Sequence, residues 1–159
     1  MLVAAIVHIG ASAIVWVRGR RARGGHRAKL RSAQSWSAAL MPLTGVVILL
    51  FVVFHVLDMT LGVTPVAPSA FTPPSEGDSY AYQNLIASFE RPFAAWSYAA
   101  TMALLSLHIA KGFGALAVDL GVLGRRLRAA LAALGGLVAL AVLLGNAAIP
   151  IAVQLGWLT

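Results

Sequence analysis

The sequence predicts an all-α transmembrane helix bundle of four spans, and three observations carry that expectation. Of 159 residues, 60% are hydrophobic and only 11% charged, against about a quarter charged in ordinary soluble domains. The charges are gathered into short segments that separate four long apolar runs. Three of those runs reach the roughly 20 residues a helix needs to cross hydrocarbon. The spans are read as about 1–17, 38–58, 93–119 and 129–153, all within one transmembrane domain covering residues 1–159.

The first run, Met1–Val17, is at the short limit. Its positive charges follow the apolar segment, whereas a signal peptide carries them in front, so it reads as a membrane helix running outside to inside. It starts without a polar flank or interfacial anchor, as it would if an upstream portion preceded it. Arg18, Arg20, Arg21, Arg23, Arg27, Lys29 and Arg31 then form one basic loop, and Arg125, Arg126 and Arg128 mark another. Between apolar spans such charge marks the cytoplasmic side, giving a multi-pass protein of the cell inner or plasma membrane. The intervening stretch, about 58–91, holds Glu76, Asp78 and Glu90 and is expected outside, kept largely extended by Pro65, Pro68, Pro73 and Pro74. The net charge of +7 is therefore assigned to topology and to anionic lipid headgroups, with no nucleic-acid partner. With no cysteine, the chain holds no disulfide and no thiolate-ligated iron–sulfur or zinc site of its own.

Polar groups inside a bilayer are expensive and mark function. His8, His55 and His108 fall in three different spans, while His26 lies in the basic loop. One such histidine is most simply a packed or hydrogen-bonded core group. Three on separate helices point to axial ligation of haem, which needs imidazoles and apolar walls from facing helices. Helix rise sorts them by depth: His8 lies about 15 Å from Arg18, His108 about 20 Å from the expected helix end near Gly121, and His55 about 27 Å from Ser37. His8 and His108 can share one iron, and His55, about 10 Å further out, needs another partner. Gly45, Gly112, Gly114, Gly135 and Gly136 allow close approach of helices or of a macrocycle. Thr44 and Ser106 are weak markers, since each can bond a carbonyl of its own helix.

The segment Ser35-Trp36-Ser37, Met41, Thr44-Gly45, Phe51 and His55 resembles the haem-bearing helix of the cytochrome b anchor subunit of succinate:quinone oxidoreductases. The class is the single-anchor, di-haem type of succinate dehydrogenase and fumarate reductase. Leu107-His108-Ile109-Ala110-Lys111-Gly112 resembles the next histidine helix of that family, and Arg91-Pro92 and the following Arg-rich loop also fit. The resemblance spans nearly the whole chain.

It implies that these four spans correspond to the last four of a five-helix anchor whose first four helices each give one haem-ligating histidine. It places His8 on the second helix, His55 on the third and His108 on the fourth. One haem b would then be completed by His8 and His108, and His55 would supply half the ligand set of a second. The implied partners are an FAD-containing flavoprotein, which would hold the dicarboxylate chemistry, an iron–sulfur subunit, the membrane lipid and a quinone, with menaquinone expected. Arg18, Arg31 and Arg91 are candidates for haem propionates and equally for snorkelling anchors. Trp16, Trp36 and Trp96 fit the interfacial aromatic belt. Lys111, a turn beyond His108, is a candidate for a propionate or the quinone entrance. It stands where relatives often carry a further histidine. Ser106 stands where some menaquinol-linked relatives carry a glutamate tied to proton movement, so that pathway is not carried over. Two other functions suit the same spans: a small proton or ion transporter or channel subunit, and a haem-free structural anchor.

The topology is testable directly. A cysteine introduced at Ser32 is expected to react with impermeant maleimide only from the cytoplasmic side; labelling from outside would reverse the orientation.

Overall fold

The computed structural model describes the backbone of residues 2–22 and 33–159, with side chains described from residue 3 in the first segment and from 39 in the second. Five α-helices follow in order: α1 (Leu2–Ala22), α2 (Ala33–His55) with a π-helical extension (Val56–Thr60), α3 (Ala81–Phe89), α4 (Pro92–Asp119) and α5 (Arg125–Gln154). Four are long and apolar enough to cross a membrane: α1, α2 with its extension, α4 and α5. The chain is an all-helical membrane protein. It divides into two compact units, Met1–Leu43 and Thr44–Thr159.

In the first unit, α1 runs beyond the expected end at Val17 to Ala22 and carries Arg20 and Arg21 in its last turn. Cations there complement the partial negative charge of the helix C-terminus. The Arg20 guanidinium also lies 4.9 Å from the centroid of the Trp16 ring one turn earlier, a spacing at which helical neighbours meet. Much of the helix surface is apolar and exposed, including Val3, Ile6, Val7 and Val15, as a lipid-facing span requires.

In the second unit, α4 and α5 pack together along their length. Arg91-Pro92 starts α4 as its sequence suggests: Arg91 is extended (φ −82°, ψ 112°) and Pro92 takes the first helical position, where its missing N–H is no loss. At the other end Gly121 adopts φ +67°. Its N–H bonds Val118 O at 2.9 Å and that of Val122 bonds Ala117 O at 3.0 Å, a Schellman closure that needs a left-handed residue. The α4–α5 seam depends on Gly135: a Cβ there would stand 2.5 Å from the Phe113 Cβ. A bifurcated Ser106 hydroxyl joins the two helices, 2.9 Å from Met102 O on its own helix and 3.0 Å from Ala139 O across the seam.

The stretch 58–91 departs from the expected proline-extended loop. Its second half contains α3, whose Ile86 and Phe89 are buried with Ala95, Tyr98 and Val153, against Phe51, Phe54 and Ile149. Four proline rings remain in the preceding segment, but Leu85, Ile86 and Phe89 fall at the three- and four-residue spacing of one helix face, which lets a short helix bury that face over the helix ends. Polar fastenings hold it. Asn84 pairs reciprocally with the backbone of Thr72, at 2.9 and 2.8 Å, and Gln154 at the end of α5 donates to Phe89 O at 2.7 Å.

Gly135→Ala is expected to cost about 1–3 kcal/mol, the usual penalty for overpacking a tight contact, because backbone-proximal Phe113 atoms cannot yield. Thermal unfolding in detergent measures it, with Gly136→Ala, whose Cβ meets nothing within 4 Å, as the neutral comparison.

Candidate functional site

Among the described residues, two polar side chains of the second unit are fully buried, Ser88 and Asp58, and the charged one, Asp58, lies in the π-helical extension that follows His55. Wide turns of this kind reposition side chains and recur at functional sites; here Leu61 N–H reaches back five residues to Val56 O at 2.9 Å. A carboxylate in an apolar span is tolerated only when it is paired and its lone pairs are satisfied. Asp58 meets both conditions. Arg91 forms an ion pair with Oδ1, while the Ser88 hydroxyl donates to Oδ2 at 2.5 Å and the Tyr98 hydroxyl donates to the same oxygen at 3.1 Å. Arg91 in turn donates to Ser88 Oγ at 2.9 Å and to Val66 O at 2.5 Å. One carboxylate thus ties together α2, the 61–80 segment, α3 and α4.

Tyr98 is held on the aromatic side as well. Phe51 and Phe89 meet its ring edge-on, with centroids 4.8 and 4.9 Å away and interplanar angles of 81° and 74°. Its oxygen also lies 3.2 Å from His55 Nδ1. A phenol has one proton, and that proton is spent on Asp58. Towards His55 the phenol oxygen can therefore only accept, which makes Nδ1 the protonated nitrogen and leaves the lone pair of the exposed His55 ring on Nε2. This tautomer follows from counting donors.

His108 is held by a comparable device one level away. The Thr44 hydroxyl lies 2.9 Å from His108 Nδ1, and the ring passes over Gly45, where a Cβ would stand 3.6 Å from His108 Cε1. Thr44 meets His108 and His55 meets Tyr98, so ascending eleven residues on α2 descends ten on α4. The two helices run antiparallel, and the two imidazoles are separated by about 15 Å along them, somewhat more than the 10 Å expected.

Of the residues singled out from sequence, His55 and His108 come into one unit on facing helices. His8 and Arg18 lie on α1 in the other unit, both exposed. Lys111 is exposed on α4, one turn past His108. Arg31 and His26 lie outside the described residues. Arg91, a candidate for an anionic cofactor group, is instead occupied by Asp58, Ser88 and Val66 O. Sequence reading missed Asp58, Ser88 and Tyr98. The available signal was the His55-x-x-Asp58 spacing, which puts an acid on the face of the histidine at the end of an apolar run. Among the described residues no cluster of three or more His, Cys, Asp or Glu could hold a metal ion; haem, which takes only two axial ligands from protein, is not addressed by such a cluster.

No family model matches the sequence, and no curated protein or solved structure matches the chain.

Removing one member of the buried ion pair strands the other. Arg91→Leu is expected to destabilise the protein by about 3–5 kcal/mol. Adding Asp58→Asn, which keeps an acceptor for Ser88 and Tyr98, should recover part of that loss. Unfolding of the single and double variants in detergent gives the comparison; a double variant as unstable as the sum of the two singles would show the charges are not coupled.

Proposed function

We propose that this chain is the membrane-anchor cytochrome b subunit of a succinate:quinone oxidoreductase, carrying electrons between an iron–sulfur partner and a membrane quinone through haem b. The observation that carries the reading is the pair of imidazoles on α2 and α4, each with Nδ1 held by a hydroxyl of the opposite helix. Haem- and metal-ligating histidines characteristically have the second ring nitrogen fixed in this way, which sets ring orientation and ligand basicity. The resemblance of the Thr44-Gly45, His55 and His108 segments to the family's haem helices supports the same assignment.

The residues present fit a haem. His108 is half-buried beside Gly45, its Nε2 would be the ligating nitrogen, and Gly45 keeps the α2 surface beside the ring flat. His8 is the proposed second ligand of that haem, and His55 would serve a second haem with a histidine from outside these 159 residues. Bound haem supplies one-electron redox chemistry; the chain supplies axial nitrogens, apolar walls and orientation. Arg18, Arg31 and Lys111 are the proposed cationic contacts to propionates or the quinone entrance. The basic segments would face the cytoplasm beside the iron–sulfur subunit, with the FAD-containing flavoprotein beyond it and menaquinone in the membrane. The position of Arg125, Arg126 and Arg128 at the start of α5 favours that orientation. Cations at a helix N-terminus are unfavourable by about 0.3–1 kcal/mol, so their placement answers to the membrane rather than to the helix. The transporter reading is less well supported, because Asp58, the one acid buried inside a span among the described residues, has its oxygens engaged by Arg91, Ser88 and Tyr98 rather than directed into a cavity.

The reduced-minus-oxidised spectrum of the purified complex tests the proposal. A b-type band is expected. His108→Ala and His8→Ala should each remove, or convert to high spin, the same b-type signal, and His55→Ala should spare it. Absence of any b-type band would sink the assignment, and loss of different haems in the first two variants would sink the pairing.

A further inference from the structure

Two features of the second unit carry chemistry that the proposed function leaves unused, the Asp58–Arg91 pair and the phenol of Tyr98, and both lead to the exposed imidazole of His55. They form one directed chain. Arg91 neutralises Asp58, Asp58 accepts the hydrogen bond that the phenol donates, and the phenol oxygen accepts one from His55 Nδ1.

We propose that Tyr98 is the positioning residue of His55, fixing by way of its bond to buried Asp58 the tautomer and donor strength with which His55 Nε2 binds haem iron. The inference rests on the proposed function and deepens it. Three arguments support it. The proton count leaves only one orientation for the His55–Tyr98 bond, so the coordinating nitrogen is chosen by Asp58, through Tyr98. A phenol donating to a carboxylate gains electron density on its own oxygen and becomes a stronger acceptor; it therefore draws harder on the Nδ1 proton, and a more basic imidazole favours the ferric over the ferrous ion. The Tyr98 ring cannot turn away, because Phe51 and Phe89 clamp it edge-on from two sides.

The second histidine provides an internal control. His108 Nδ1 faces the hydroxyl of Thr44, on another part of α2 and with no bond to Asp58. A change confined to Tyr98 should therefore be felt at one imidazole and not at the other.

Tyr98→Phe in the intact complex removes the hydroxyl and keeps the clamped ring. The haem that disappears in His55→Ala is expected to show a raised midpoint potential, a shifted low-spin resonance in electron paramagnetic spectra, and binding weakened about tenfold or more. The haem that disappears in His108→Ala should keep its potential and resonance. Site-specific replacement of Tyr98 by 3-fluorotyrosine preserves every contact while weakening the oxygen as an acceptor. It should move the potential in the same direction by a smaller amount, and it serves if the phenylalanine variant does not assemble. Unchanged potential and resonance in these variants, with the haem still lost in His55→Ala, would overturn the role of Tyr98. If His55→Ala leaves every b-type signal intact, it is the ligand assignment of His55 that fails. A structural role alone would lower stability or haem content in both sites without a potential shift confined to one.

Discussion

The second unit depends on one buried charge. Asp58 lies at the end of an apolar helix, where an isolated carboxylate would cost more than the packing around it returns. Arg91 offsets that cost, and in doing so the pair fixes where the chain goes next. The guanidinium reaches Val66 O in the preceding segment and Ser88 on α3, so the ion pair is also the knot by which the segment outside the spans is tied down. Two proximate causes place Arg91 there: α3 ends just before it, and Pro92 immediately starts α4, which leaves Arg91 extended at the junction with its side chain directed at α2.

Much of the architecture was legible in the sequence. The apolar runs located all four spans, because length and absence of charge are what a membrane demands of a helix whatever its neighbours. The ends of those spans were less legible. α1 runs on through Arg18, Gly19, Arg20 and Arg21 because one glycine costs a helix only about 1 kcal/mol and arginine is a good helix former, and hydropathy does not register a helix that leaves the apolar layer. The 58–91 stretch was misread for a related reason. Pro65, Pro68, Pro73 and Pro74 dominate its composition, yet they sit only in its first half, and the nine residues of α3 are too short for periodicity to speak against a loop.

At the site the division is similar. His55 and His108 stand out because an imidazole in an apolar run is conspicuous by itself. Asp58, Ser88 and Tyr98 do not, since their meaning lies in a contact across thirty or forty positions of chain. Asp58 falls where an apolar run ends, which is also where a solvated residue would fall, and only the π-helical turn carries it inward. Thr44 was underrated on the same grounds: a threonine in a helix ordinarily satisfies itself locally, and its approach to His108 belongs to the pairing of α2 with α4.

That pairing works as a gauge. Two contacts, one at each end of an eleven-residue interval on α2, must be met at once by an interval of matching length on α4. One residue added between Thr44 and His55 would rotate everything beyond it by about 100° and advance it by about 1.5 Å, so neither histidine could keep its hydroxyl unless the other lost its own. Length in these two stretches is therefore as tightly determined as residue identity. The segment from Gly62 to Tyr80 is tied to the helices at separate points, where Arg91 reaches Val66 O and Asn84 meets Thr72, so a residue inserted between Ser75 and Asp78 would leave the register of α2 and α4 untouched.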